Sequence, residues 1–250
     1  MTIPPYLTYF VFIGTAATLI AILYGLNRSL AAAFWPEADR RWTVRTAAIV
    51  LLGWLVLAIT LSAMGVYHVT SGDIPTIQYG ILLPILIGAV LIWRSETAKR
   101  VIAAVPQPWL VGVQLYRALG AIFLILYTTS KLPAFFAWPA GMGDVAVGLL
   151  APVVGLAYAR APRKAAPLVA AWNLLGILDL TIAVGTGFLT APSRLVPFEF
   201  HPTSELMTVL PMVMIPVYLV PLSIVLHLAS LAKLRREASP ESHRTAGAHA

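Results

Sequence analysis

Three ionisable residues, Arg117, Asp144 and Asp179, each lie inside a long run of apolar residues. A charged group in the hydrocarbon region of a membrane costs about 2.5 to 3.5 kcal/mol to insert, so it needs a partner or a water-filled cavity. Carboxylates in such positions bind ligands or handle protons, and a guanidinium binds carboxylates and phosphates with two hydrogen bonds. We therefore treat these residues as a candidate intramembrane polar site for a small solute, an anion or a proton.

The rise of a helix predicts the depth of each residue. At about 1.5 Å per residue, Arg117 lies about 12 Å from the cytoplasmic edge, Asp179 about 18 Å from that edge, and Asp144 about 7 Å from the outer edge. This predicts a ladder of charges through the membrane. For Arg117 and Asp179, a salt bridge that only packs helices is the alternative to a functional site. For Asp144, the alternative is stabilisation of the helix start with a surface pair to Lys131 or Arg194.

Small residues and a proline surround Asp144. Pro139 favours a helix that begins there, because the first turn does not need its missing N–H. Gly141 and Gly143 then lie at the start of the helix and leave room for a neighbouring backbone or a ligand. Glycine and alanine recur at spacings of three and four from Asp144 and Asp179. We expect these faces to contact other helices, with the charges pointing inward.

Seven apolar runs must position these residues. The chain is 59% hydrophobic and 11% charged, with a mean hydropathy of +0.84, which is typical of a multi-pass membrane protein. The runs that are long enough to cross a membrane cover about 6–26, 44–67, 76–93, 109–129, 139–159, 167–190 and 206–232. The sequence therefore predicts an all-α bundle of seven transmembrane helices over residues 1–232. A disordered cytoplasmic tail over residues 233–250 follows.

Lysine and arginine are unevenly distributed between the two ends of this bundle. Fourteen of the 17 follow the first, third, fifth or seventh run, whereas Lys131 and Arg194 lie at the other end. Because basic residues are retained on the cytoplasmic side, we expect an outer N-terminus, a cytoplasmic C-terminus and an inner-membrane location. Membrane lipids then surround the chain, and the basic clusters do not indicate a nucleic-acid partner. A homo-oligomer or a membrane-protein partner stays open.

The seventh run contains three prolines, Pro211, Pro216 and Pro221. Each proline in a helix removes a hydrogen bond and frees a carbonyl group. In a membrane such a carbonyl is tolerated when another helix, a side chain or water binds it. The prolines predict a hinge of the kind found in carriers, with helix packing alone as the alternative.

The predicted outer loops carry a second set of ionisable residues. His68 and Asp73 follow the second run, and Glu199 and His201 precede the seventh. Imidazole and carboxylate groups bind zinc, so these four residues predict a metal site on the outer side. Because their spacing matches no zinc motif, a solvated loop is the alternative.

Several chemistries are excluded by what the sequence lacks. The chain has no cysteine, which excludes disulfides and Cys-ligated metals. The seventh run has no lysine before Lys233 to hold retinal, no two intramembrane histidines are present to hold haem, and no nucleotide-binding or serine-hydrolase motif occurs. We expect no cofactor. The sequence favours a small-solute or proton-linked carrier, with an assembly or sensory partner and an outward-facing metal-dependent enzyme as alternatives.

Overall fold

A computed structural model describes residues 3–197 and 199–238, and these two ranges contain helices but no strand. Seven of the helices are long and apolar enough to cross a membrane: Pro5–Ala32, Glu37–Ala63, Ile77–Arg94, Gln107–Thr128, Ala134–Arg160, Pro162–Leu189 and Ile215–Glu237. We call them spans 1 to 7. A short helix, Glu96–Ala104, links spans 3 and 4. The predicted all-α fold with seven helices of spanning length is confirmed, and it indicates a multi-pass membrane protein.

Large apolar side chains cover the outside of the bundle. Tyr9 is 69% exposed, Ile20 68% and Val153 60%. A soluble protein rarely exposes a continuous apolar surface of this kind, whereas lipid tails solvate it without cost. The outer surface therefore agrees with the hydropathy of the spans.

Two predicted boundaries differ from the structure. Span 5 begins at Ala134 rather than at about residue 139, because Pro133 occupies the N-cap and Pro139 is accommodated inside the helix. Span 7 begins at Ile215 rather than at about residue 206. Its first turn, Ile215–Leu219, is π-helical.

The seventh span extends beyond its predicted end at residue 232. The α-helix of span 7 continues to Glu237, so residues 233–237 are helical. Residues 239–250, the rest of the predicted disordered tail, lie outside the described part of the chain.

Span 4 is α-helical at both ends and has a 3₁₀-helical segment, Val113–Gly120, at its centre. In a 3₁₀-helix, side chains three residues apart lie directly above one another. Gln114, Arg117 and Gly120 therefore share one face, and they are the buried residues of the segment. The tighter winding aims the arginine into the bundle.

Span 5 packs between spans 4 and 6 along small residues. A methyl group on Gly148 would overlap the backbone of Ala118, and one on Gly155 would lie 3.1 Å from the carbonyl oxygen of Pro108. Such residues allow helix backbones to approach closely. The predicted contact between the small-residue face around Asp144 and another helix is confirmed.

The two longest connections between spans, residues 64–76 and 190–214, contact each other. The Arg194 N–H donates to the carbonyl of Asp73 at 3.0 Å, and the Val69 N–H donates to Thr208 Oγ1 at 3.3 Å. We call this side of the bundle the loop end. The opposite side carries most of the lysine and arginine residues, and we call it the basic end.

Candidate functional site at the centre of the bundle

Arg117 lies at the centre of the bundle and is 3% exposed. Its Nε donates to Asp144 Oδ1 at 2.7 Å, and its Nη2 forms an ion pair with Asp179 Oδ2. Its Nη1 donates to the carbonyl of Gly176 at 3.3 Å and lies 3.2 Å from His227 Nε2. All three guanidinium nitrogens therefore contact acceptors of the protein. Through these contacts the arginine joins spans 4, 5, 6 and 7.

The predicted separation of Asp144 from the other two charges is wrong, because the three charges form one cluster. The salt bridge between Arg117 and Asp179, which the sequence leaves open, is present. The prediction measures depth from Pro139, whereas span 5 begins at Ala134. At about 1.5 Å per residue, the true start brings Asp144 about 15 Å into the span, near the middle of a hydrocarbon core about 30 Å thick. At this depth its ion-pair partner is the central arginine. Among the described residues it forms no pair with Lys131 or Arg194.

Glycines make room for the charged side chains. A methyl group on Gly120 would overlap the side chain of Asp144, and one on Gly143 would overlap the carboxylate of Asp179. Gly141 faces an apolar side chain of span 4 instead. Gly141 and Gly143 therefore lie within span 5 and not at its start as predicted, and Gly143 is the one beside the cluster.

The cluster contains two carboxylates but one guanidinium. His227 adds no positive charge in this geometry, because its Nε2 faces an N–H of Arg117 and has to accept. The ring proton then lies on Nδ1, which is 2.9 Å from Asn173 Oδ1. With both aspartates ionised, one negative charge is in excess. An uncompensated buried charge is costly, so a proton or a bound cation has to offset it.

Hydrogen-bonded neutral side chains extend from His227 toward the basic end. Asn173 Nδ2 donates to Ser230 Oγ at 2.8 Å, and Gln107 Nε2 donates to the same oxygen at 2.6 Å. These four residues, the neutral network, are at most 2% exposed. The network fixes the imidazole ring, and the ring in turn positions the guanidinium. Gln107 Oε1, at the far end, is buried and has no hydrogen-bond partner among the described residues.

A cavity lies between the loop end and Asp144 and is lined by residues of both. The space inside it, counted together with open solvent, is about 670 Å³, and Asp144 is its one charged lining residue among those described. Apolar residues form most of the wall, among them Ile81, Phe123, Phe136, Leu180, Phe188 and Met207. Hydroxyl groups line it at Ser204 and Thr208, which donate to backbone carbonyls at 2.7 and 2.8 Å. The carboxylate of Asp144 is thus the ionic group that the cavity presents.

A second cavity, with about 480 Å³ of space counted together with open solvent, meets the first at Asp144. It lies between spans 1, 4 and 7, and Phe10, Arg117 and Leu219 are part of its lining. The Tyr116 hydroxyl in its wall forms a 2.5 Å hydrogen bond with a serine hydroxyl of span 7. The charged cluster is therefore reached from two cavities.

The candidate site lies within a part of the chain that matches a known protein family. The domain of unknown function DUF8737 matches residues 74–235, which is more than half of the chain and includes spans 3 to 7. The chain belongs to this family. No curated protein and no solved structure matches the chain.

Sequence reasoning missed the four residues of the neutral network, all of which lie within the DUF8737 region. The available signal is a set of polar residues on one helical face of an apolar run. In span 7, Ser223, His227 and Ser230 are spaced by four and three residues, which places them on one side of the helix. Such a stripe indicates contact with polar groups of other helices, although it does not identify them.

The predicted metal ligands His68 and Asp73 lie just before the DUF8737 region, and the structure gives them separate partners. His68 Nε2 lies 3.2 Å from Glu205 Oε1. Asp73 accepts hydrogen bonds from the hydroxyl and the backbone N–H of Thr70, at 2.6 and 2.8 Å. These bonds lower the pKa of Asp73, because they stabilise its ionised form.

The other two predicted metal ligands, Glu199 and His201, lie on an exposed segment of the DUF8737 region. Between them, Phe200 stacks on Phe135, with ring centroids 5.9 Å apart. Over residues 3–197 and 199–238, no three His, Asp or Glu residues form a group that could hold a metal. The four predicted ligands are therefore not brought together.

The three prolines of the seventh run have different surroundings. Pro211 lies in the turns before span 7 and does not interrupt a helix. Pro216 lies in the π-helical turn, and Pro221 lies in the first turn of the α-helix that follows. Pro216 also lines the larger cavity. Hinge motion stays a prediction, and the π-helical turn agrees with it because such turns are frequent at functional sites.

Proposed function

We propose that this DUF8737 protein is a small-solute carrier of the cytoplasmic membrane, with Arg117, Asp144 and Asp179 as its intramembrane binding site. The observation that carries the proposal is the cavity that lies between the loop end and Asp144. A salt bridge that only packs helices does not need such a cavity. Ionisable residues within membrane spans are typically found along substrate or ion pathways.

The distribution of basic residues supports an outward-facing arrangement. Because lysine and arginine are retained in the cytoplasm, the basic end is the cytoplasmic side. The loop end, on whose side of the cluster the larger cavity lies, then faces outward. The neutral network closes the path between the cluster and the cytoplasm.

Each residue of the site has a distinct role in this proposal. Asp144 contacts the solute, because it lies in both cavities. Arg117 positions Asp144 and Asp179, and the proton that offsets the excess negative charge is displaced when a solute binds. The 3₁₀-helical segment of span 4 and the π-helical turn of span 7 both line the smaller cavity, and they change winding when the path opens inward.

Uptake into liposomes tests the proposal. The purified protein is reconstituted, and uptake is measured for a panel of small organic cations, anions and neutral solutes. We expect the wild-type protein to take up at least one member of the panel and the Asp144→Asn variant to take up none. Asparagine keeps the shape of the side chain, and Arg117 keeps Asp179 as its counter-charge, so the variant should fold.

Size-exclusion chromatography of both proteins is the control for folding. Equal uptake of a transported solute by the variant would contradict the proposal, and so would the absence of uptake across all three charge classes. The rival function, a membrane assembly or sensory partner in which the charges only pack helices, predicts that second result.

A further inference from the structure

We infer that the larger cavity binds a small organic cation, an apolar body with one ammonium group, whose N–H groups donate to Asp144. This inference deepens the proposed function by naming the substrate class, and it rests on that function for the role of the site. Four observations carry it: the charge of the cluster, the atom that the cavity exposes, the chemistry of the walls and the occupied state of the arginine.

The charge of the cluster favours a cation. The titratable groups around Asp144 are Arg117, Asp179, His227 and Tyr116; the imidazole is neutral and the tyrosine hydroxyl is bound to a serine. Among the described residues, no other Lys, Arg, His, Asp or Glu lines either cavity. With both aspartates ionised, one positive charge in the cavity makes the cluster neutral and can replace the offsetting proton, whereas an anion would add to the negative charge.

The cavity exposes an acceptor atom that the protein does not use. Arg117 approaches Asp144 through Oδ1, at 2.7 Å from both Nε and Nη2. Among the described residues, no donor forms a hydrogen bond with Oδ2. The side chain of Asp144 is 13% exposed, so a ligand in the cavity can reach this oxygen. An ammonium group can donate a charge-assisted hydrogen bond to this oxygen.

The walls suit an apolar body of modest size. Phe123 and Phe136 line the cavity with their rings edge to face, 5.4 Å between centroids. Aromatic faces attract cations, and apolar walls favour an aryl or alkyl body. Ser204 and Thr208 already donate to backbone carbonyls. A sugar would leave most of its hydroxyl groups without partners here, at a cost for each one.

The occupied state of Arg117 argues against an anionic ligand. Its three guanidinium nitrogens contact Asp144, Asp179, Gly176 and His227. An anion could bind the guanidinium only by displacing one of the two aspartates, which would leave a carboxylate buried without a partner. The zwitterion of an amino acid has the same difficulty at its carboxylate.

Binding of three probes of similar shape tests the inference. The probes are 2-phenylethylammonium, the neutral 2-phenylethanol and the anionic phenylacetate, and each is titrated into the purified full-length protein in detergent at pH 7. We expect saturable binding of the ammonium probe and affinities at least about tenfold weaker for the other two, the effect of losing one charge-assisted hydrogen bond.

Two variants and one control locate the binding. Asp144→Asn should lower the affinity for the ammonium probe about tenfold or more. Ala183→Phe, which fills the larger cavity without changing its charge, should also remove binding. Asp73→Asn removes an exposed carboxylate at the loop end, outside both cavity linings, and should change the affinity by less than about twofold. Ala183→Phe keeps the test valid if Asp144→Asn fails to fold.

Equal binding of 2-phenylethanol, preference for phenylacetate, or no binding of any probe would overturn the inference. Undiminished binding of the ammonium probe by Ala183→Phe would overturn it as well. Failure of the proposed function gives a different result: saturable binding of the ammonium probe without uptake into liposomes. Uptake of an anion or a neutral solute that needs Asp144 would support the proposed carrier function but would contradict a cationic substrate.

Discussion

The two sides of Arg117 differ in the side chains that surround it. Toward the basic end, His227, Asn173, Ser230 and Gln107 form a buried network of neutral side chains joined by hydrogen bonds. Toward the loop end, a largely apolar cavity leaves Asp144 accessible. The first side holds the guanidinium in one orientation, and the second leaves its counter-charge available to a ligand. In the proposed function, this difference separates the positioning of the guanidinium from the binding of a ligand.

Helix winding differs between the two sides as well. The residues of the neutral network lie on α-helical turns of spans 4, 6 and 7. The smaller cavity is lined by the 3₁₀-helical segment of span 4 and the π-helical turn of span 7. Departures from α-helical winding are frequent where a helix has to move or to bind. We therefore expect the elements that move, if the proposed hinge exists, to lie on the open side.

Removal of the arginine should have the largest effect, because both sides depend on it. Arg117→Met leaves two buried carboxylates without a cation, which should lower the free energy of unfolding by about 3 to 5 kcal/mol. Thermal unfolding in detergent, followed by tryptophan fluorescence, measures this loss. The triple variant Arg117→Met, Asp144→Asn and Asp179→Asn carries no charge in the cluster and should recover most of the stability. A triple variant that is no more stable than the single one would contradict the charge account.

The closed side is tested by a comparison of two histidines. His227→Ala removes a fully buried ring and its bonds to Arg117 and Asn173, which should cost about 2 to 4 kcal/mol of unfolding free energy. His68→Ala removes an exposed pair with Glu205 and should cost less than about 1 kcal/mol. Unfolding of the two variants under the same conditions gives the difference. Equal stability would mean that the neutral network does not hold the arginine.

The open side is tested by a comparison of two glycines. A methyl group at position 120 overlaps the side chain of Asp144, so Gly120→Ala should cost about 1 to 3 kcal/mol and should displace the carboxylate. A methyl group on Gly185 would meet no atom of the described residues within 4 Å, so Gly185→Ala should leave the stability unchanged or raise it slightly. Thermal unfolding measures both effects. Unchanged stability of the Gly120→Ala variant would show that Asp144 can move freely beside the cavity.

The seven spans could be predicted from the sequence because an apolar run of membrane length is a local property. The meeting of Arg117 with Asp144 could not, because it depends on where span 5 begins. Pro133 and Pro139 are both compatible with the start of a helix, and an error of five residues moves Asp144 from the interior to the surface. The 3₁₀-helical winding of span 4 and the network around His227 depend on contacts between spans, which spacing along one helix does not reveal.

The central claim is that the cluster is open toward the loop end and closed toward the basic end. The chain has no cysteine, so single cysteines can be introduced without a background. Two variants are compared, Val184→Cys and Ser230→Cys. Val184 lines the larger cavity, and Ser230 is part of the neutral network. A membrane-impermeant thiol reagent is added to the outside of intact cells, with denatured protein as the control for thiol reactivity.

We expect rapid labelling of Val184→Cys and none of Ser230→Cys, and the ammonium probe should slow the labelling of Val184→Cys. Labelling of Ser230→Cys alone, or of both cysteines at the same rate, would contradict the account.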